Sequence, residues 1–367
     1  MTPPTGLPPA SAVVEDALSA AGAAGCIVVV EDHSEADVRF ATNTVTTNGV
    51  RRSRRVTVIG LADRDGGTSA GVASRSGEVD VASLVRAALT DAKASPPADD
   101  AAALLEGGAD PSFGDEPGLT DLDVLGGVLA SLGGAFARAE RADTVLAGFA
   151  QHAVVTTSLG VSTGLRRRHV QPTGTLELVG RAGGGKRSAW VGRSTVDFRD
   201  VAIDELEAAL NQRLAWASER VELDAGRYEV VLPPGAVGDL MAYLYNAASG
   251  ADAEDGRSVF SAPDGATKVG QRLAPLPFEL RSDPAEPSLE CAPFLAVEAS
   301  SASSSVFDNG LGLGRTSWIR DGSLERLFYS RARAGRAGTT AAAPIDNLVL
   351  ELPGAQGTTA DLVAATE

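Results

Sequence analysis

The chain has 367 residues, 44% of them hydrophobic and 5% aromatic, which is aliphatic material for about two globular domains and not the composition of a disordered polymer. Its 48 acidic against 32 basic side chains leave a formal charge of -16, a field that repels nucleic acid and anionic lipid, so neither is expected as a direct partner. Cys26 and Cys291 stand far apart in no metal-ligand spacing and are expected as buried free thiols; with no charged apolar leader and no apolar run of ~18 residues, a cytoplasmic, membrane-free protein is expected.

In chain order, "MTPPTGLPPA" over residues 1–10 reads as a disordered proline-rich tail. Val14, Leu18 and Ala21 then recur at helical spacing, and "GCIVVVED" (25–32) is a β-branched run suited to a buried strand. "ADVRFATN", an Asn48-Gly49 turn, "RRVTVIGLAD" and "TSAGVASRSG" predict an antiparallel meander. Asp80 is placed to cap a helix carrying Val81, Leu84, Val85, Ala88, Leu89 and Ala92 on one face. Residues 95–118, rich in Pro, Gly and Asp, read as a long acidic surface connection.

Leu125, Leu129, Leu132 and Phe136 predict a second helix, weakened by the pairs Gly126-Gly127 and Gly133-Gly134 unless these permit close packing. Residues 144–194 alternate as strands broken at "SLGVSTG", "QPTG" and "AGGGKR", and Ile203, Leu206, Leu210 and Leu214 mark a third helix. A second region opens with "YEVVL" as a strand, a Pro-Pro-Gly break, and an amphipathic helix on Val237, Leu240, Met241, Leu244, Tyr245 and Ala248. Asp321-Gly322 then signals a hairpin, and the chain stops where Thr358 or Thr359 caps a barely begun helix, which predicts a shortened C-terminal region. The expectation is an α+β fold: an N-terminal α/β domain over 11–222, with a mixed or antiparallel sheet plus helices, and a β-rich C-terminal domain over 223–367 that is incomplete.

Most apparent motifs lack their structural context. "GVSTG" fits the G-x-S-x-G nucleophile elbow at Ser162, yet a strand-like "LRRRHVQPTG" follows in place of the required helix. The three histidines are His33, His152 and His169, and His169 lies ~16 Å along an extended strand from Ser162, too far for a base. "GRAGGGKRS" nearly matches a phosphate loop, but Arg187 replaces the hydroxyl residue and a hairpin turn is expected. "GLGLG" (310–314) lacks the dinucleotide spacing, "EDHSE" around His33 is expected as a solvated turn, and Arg166, Arg167 and Arg168 as a solvated face.

Taken together, "SLGVSTG", "AGRYEVVLPPGAVGDLMAYLYNAASG", "GRSVF" and "VFDNGLGLGRTSWIRDGSLERLFYSRARAGRAG" resemble the TldD/PmbA family, named as modulators of DNA gyrase and acting as two-subunit zinc peptidases. The resemblance spans nearly the whole chain from about Glu31, and it implies an α/β domain followed by a β-rich one. In the family's catalytic subunit the helix after the strand carries His-Glu-x-x-x-His, two zinc ligands and a general base. The matching positions here are Met241, Ala242 and Asn246, which lack the two imidazoles and the carboxylate.

The resemblance therefore implies the non-catalytic, TldE-like (PmbA) subunit, binding no cofactor itself and working with a TldD-like, zinc-bearing partner on unfolded peptides. No catalytic or metal residue is assigned to this chain. Two alternatives are a stand-alone peptide-binding homodimer and a serine hydrolase built on Ser162.

Overall fold

The computed structural model describes residues 7–219 and 221–366, so the predicted tail lies outside the described residues as far as residue 6. Helix α1 (Ala10–Ala21) leads into β1 (Cys26–Ala41), β2 (Thr44–Arg64) and β3 (Gly67–Ser76); α2 (Val81–Ala94) follows. After the 95–118 connection, a 3-10 turn and α3 (Gly126–Arg141) precede β4 (Thr144–Val161), β5 (Arg166–Ala182), β6 (Arg187–Thr195) and α4 (Ile203–Trp216). The six strands form one antiparallel sheet in the order β3-β2-β1-β4-β5-β6.

Strand alternation gives this sheet two distinct faces. Val28, Val30, Val56 and Val58 face α1 and α2, while Val38, Phe40, Leu146, Leu176 and Leu178 face α3 and α4. Each such fully buried aliphatic contributes about 1.5–3 kcal/mol. The two helix pairs leave a polar strip between them. There Arg54 donates to both oxygens of Asp32 at 2.6 and 2.9 Å, and the His152 ring takes Thr120 Oγ1 at 2.6 Å and donates to the Val196 carbonyl at 2.8 Å. Helix α2 lies flat on the sheet because Gly60 and Gly71 pair directly beneath it; a Cβ on Gly71 would stand 2.0 Å from the Ala92 nitrogen.

The opposite face is covered at one end only. Ile27, Val29, Leu159 and Val161 meet Leu165, Phe294, Val306 and Phe307 of the C-terminal region. That region contains α5 (Pro234–Asn246), α6 (Gly250–Glu254), β7 (Glu279–Ser282), β8 (Thr316–Arg320), β9 (Ser323–Leu324), α7 (Arg331–Ala337), β10 (Val349–Glu351) and α8 (Thr359–Ala365). Its short strands form a second antiparallel sheet, β10-β7-β8-β9, around Trp318, Phe328 and Tyr245, whose rings meet edge to face at 4.8 to 5.4 Å. The fold is α+β.

Several local expectations are corrected. The first hairpin turns at Thr42-Asn43, both at positive φ (53° and 59°), and Asn48-Gly49 lies inside β2 opposite Val38 and Asp37. Asn43 holds the turn because its side chain accepts from Leu146 N at 2.7 Å and donates to the Thr144 carbonyl at 3.0 Å, mimicking a strand's own ladder. "QPTG" does not break β5: Pro172 pairs with Val154, on a stretch that β6 does not reach, so its missing N–H costs no ladder bond. "EDHSE" is strand, not turn, with Asp32 and Ser34 buried under the helices and Glu31, His33 and Glu35 on the open face.

The glycine pairs of α3 permit no close helix packing: a Cβ at Gly126, Gly127 or Gly133 would meet nothing within 4 Å, and one at Gly134 only the Arg138 side chain of the same helix, at 3.2 Å. Helical residues Leu122–Arg141 run 20 residues, long and apolar enough on those grounds to cross a membrane, contrary to the expectation that no such run exists. Here this helix covers the sheet, with Leu125, Val128, Leu132 and Ala135 buried. The 95–118 connection is more than an acidic surface loop, since its Ala98, Ala101, Leu104 and Leu105 pack against the interface between sheet and C-terminal region and Phe113 is buried.

"YEVVL" forms no strand. Tyr228, Val230 and Leu232 are 52, 69 and 46% exposed, and the segment joins neither sheet. By contrast, Asp321-Gly322 turns the β8–β9 hairpin at positive φ, Asp80 caps α2 by accepting from Ser83 N at 3.1 Å, and Thr358 caps α8 through a capping box with Asp361.

Candidate functional site

Helix α5 starts where Pro233 and Pro234 fix the backbone, with Pro234 at the first helical position, where a missing N–H costs nothing. Its C-terminal half is anchored through Tyr245, whose hydroxyl donates to the Ile345 carbonyl at 2.9 Å and accepts from Ile345 N at 2.7 Å. Burial pushes that phenol up to about 12, so it stays a neutral donor. Met241 and Leu244 pack half-buried against the C-terminal core, whereas Ala242 and Asn246 face solvent. The predicted apolar stripe is thus only partly used, and Leu240 is 56% exposed.

A thioether, a methyl and an amide at positions 241, 242 and 246 supply no imidazole and no general base. Among the described residues, no three His, Cys, Asp or Glu side chains converge as metal ligands would.

The other tempting residues prove structural. Ser162 lies where β4 ends, and its Oγ accepts from Cys26 N at 3.1 Å while its own N–H donates to the Cys26 carbonyl at 2.9 Å. His169 instead meets Gln171 Oε1 at 2.9 Å, His152 is locked between Thr120 and Val196, and His33 stands 3.9 Å from Glu31, so no histidine is paired with Ser162. Gly183, Gly184 and Gly185, all at positive φ, make the β5–β6 hairpin turn rather than a phosphate cradle.

The arginine run is no solvated face. Arg166 pairs with Glu15 at 2.6 Å, Arg167 with Asp110 at 3.1 Å, and Arg168 donates to the Glu116 carbonyl at 2.6 Å, tying α1 and the connection to β5.

"VFDNGLGLGR" begins at the contact between the sheet and the C-terminal region. Phe307 is fully buried against the sheet, and Asp308, 2% exposed, accepts from Arg331 Nε at 2.7 Å and from Arg331 N at 3.0 Å. Asn309 accepts from Val297 N at 2.6 Å and donates to its carbonyl at 2.9 Å. Gly310 (φ 89°) leaves room for Leu165, whose Cδ2 would stand 2.3 Å from an added Cβ. Packing and positive φ account for Gly310, whereas Gly312 and Gly314 have neither a positive φ nor a neighbour within 4 Å of an added Cβ.

Sequence reasoning missed an open cleft. A cleft of about 890 Å3 lies between the open sheet face, with Glu31, Thr157, His169 and Gln171, and the loops around Glu290 and Asp346. Gln171 spans it, donating to the Glu290 carbonyl at 3.0 Å. Its residues come from stretches far apart in the chain, so no local motif announces it.

Residues 225–366 match the model of the PmbA/TldA metallopeptidase C-terminal domain. No curated protein sequence matches the chain. Among solved structures, TldE from Thermococcus kodakarensis is similar over 97% of this chain and 80% of its own, with a TM-score of 0.75 at 16% identity. A candidate modulator of DNA gyrase from Thermotoga maritima is similar over 90% of this chain and 73% of its own (TM-score 0.69, 14% identity). A second such candidate modulator, from Bacteroides thetaiotaomicron, is similar over 97% and 80% (TM-score 0.70, 16% identity). The C-terminal part of the chain, residues 225–366, is thus similar to the PmbA/TldA metallopeptidase C-terminal domain, and the chain shares the fold of TldE and of the two candidate modulators.

Proposed function

We propose that this protein is the non-catalytic subunit of a two-subunit zinc peptidase acting on unfolded peptides, with the metal carried by a TldD-like partner. Helix α5 carries the proposal: inside a domain of a metallopeptidase family, it presents Met241, Ala242 and Asn246 at the positions that the family resemblance assigns to the zinc ligands and base. A chain without these donors contributes shape and peptide contacts rather than hydrolysis. Two free, buried thiols fit a reducing compartment, and the protein is assigned to the cytoplasm.

The test compares cleavage of an unfolded peptide by this chain, by a relative bearing His-Glu-x-x-x-His, and by the mixture, each with and without a chelator. Chelator-sensitive activity confined to the mixture is expected, with no stoichiometric zinc in this chain alone by metal analysis. Chelator-resistant cleavage by this chain alone would overturn the assignment. Ser162→Ala is expected to leave the activity of the mixture unchanged, since that hydroxyl serves the Cys26 backbone.

A further inference from the structure

The open cleft deepens this function and rests on it for its physiological role, though not for binding itself. Along the outer edge of β5, the Arg166 N–H donates to the Gly108 carbonyl and the Arg168 N–H to Asp110 Oδ2 at 3.1 Å. Antiparallel ladders alternate, so the next outward N–H belongs to Val170 and the next outward residue is Pro172. Strand β6 pairs with β5 only from Gly174 onward. Among the described residues, the Val170 N–H and carbonyl are therefore left as an open strand edge beside His169 and Gln171, which line the cleft, while the Pro172 carbonyl accepts from the Gln171 side chain at 3.2 Å.

The cleft has one sign of charge. Glu31, Glu290 and Asp346 line it, and no lysine or arginine does among the described residues. Glu290 and Asp346 enter no ion pair with the described residues. Leu289, Phe294 and Leu348 supply apolar wall.

The geometry points to an extended peptide with a lysine or arginine side chain as the occupant. Its backbone adds to the β5 edge at Val170 and its cationic side chain lies among Glu31, Glu290 and Asp346. The open edge selects extended backbone over folded protein. The carboxylates select basic over acidic side chains, a preference that weakens with salt.

The test titrates the whole chain, without partner or metal, into fluorescein-labelled peptides of equal length whose central residue is lysine or glutamate, and reads anisotropy. The lysine peptide is expected to bind about tenfold more tightly at low salt. Glu290→Gln combined with Asp346→Asn should abolish that difference. Backbone N-methylation of the lysine peptide at alternate positions should weaken binding whatever the fold of any variant, and Val170→Pro should do the same from the protein side. Equal affinity for the two peptides, no binding, or a preference unchanged in the double variant would overturn the inference. If the lysine peptide binds but the mixture with the zinc-bearing relative cleaves nothing, the proposed function fails and the binding site stands. The converse, cleavage by the mixture without binding by this chain, overturns the site alone.

Discussion

Helices α2 and α5 have the same kind of sequence pattern and opposite fates. In α2, Leu84, Val85, Ala88 and Ala92 are all buried, against a sheet whose glycines at 60 and 71 clear space for the helix. In α5 no residue is fully buried, and Leu240 and Tyr243 are 56 and 75% exposed although the stripe is equally apolar. An amphipathic stripe states that a helix gains by covering its face; whether the same chain supplies the cover depends on which surfaces the fold brings beside it. The strand-like segment ahead of α5 behaves the same way, as the β-branched and apolar run Val230, Val231 and Leu232 pairs with no strand among the described residues.

The sharpest test of this contrast is a pair of truncations. Leu84→Ala should cost about 2–5 kcal/mol in urea unfolding, because it opens a cavity in a packed core. Leu240→Ala should stay within about 0.5 kcal/mol, as surface changes do. A large loss at Leu240 would mean that α5 has a partner in solution, such as a second copy.

A smaller effect separates two asparagine sites that the sequence makes look alike. Asn43→Ala loses a residue suited to positive φ and two hydrogen bonds to β4, and should cost about 1–2 kcal/mol. Gly49→Ala, in the middle of β2 with nothing within 4 Å of a new Cβ, should change stability by less than about 0.5 kcal/mol. The reverse order would return the turn to Asn48-Gly49.

The smallest effect is one of pH. Burial pushes the Cys26 thiol up to about 12, so the folded chain keeps a proton that the unfolded chain releases above ~8.5. The unfolded state then binds fewer protons, and stability contributed by this group is lost as pH climbs from ~8.5 toward 12. Melting temperature should fall more steeply between pH 8 and 10 in the native protein than in Cys26→Ala, and Cys26 should resist thiol reagents at pH 9 until the chain is unfolded. Rapid labelling in the folded state would place Cys26 outside the core around α1 and β1.

Much of the fold was legible because its signals are local. The 3.6-residue period of α2 and α4, the cap at Asp80 and the positive-φ pair at Asp321-Gly322 each act within a few residues and reappear as expected. The family domain over 225–366 was legible for the same reason, since its segments keep residue types in order.

What the tertiary structure decided were choices between locally equivalent options. Thr42-Asn43 outcompetes Asn48-Gly49 because Asn43 can bond to β4, a strand lying about a hundred residues away. Pro172 sits inside a strand because β6 stops short of it. The Arg166–Arg168 run became a clamp because Glu15, Asp110 and Glu116 arrive from elsewhere in the chain. The cleft, assembled from β1, β4, β5 and two C-terminal loops, has no sequence signature, because the packing of Phe307 and Leu165 sets how the C-terminal region seats on the sheet. Sequence determines what each segment can do through its own backbone and side chains, while long-range pairing and packing decide which of those possibilities is the most stable.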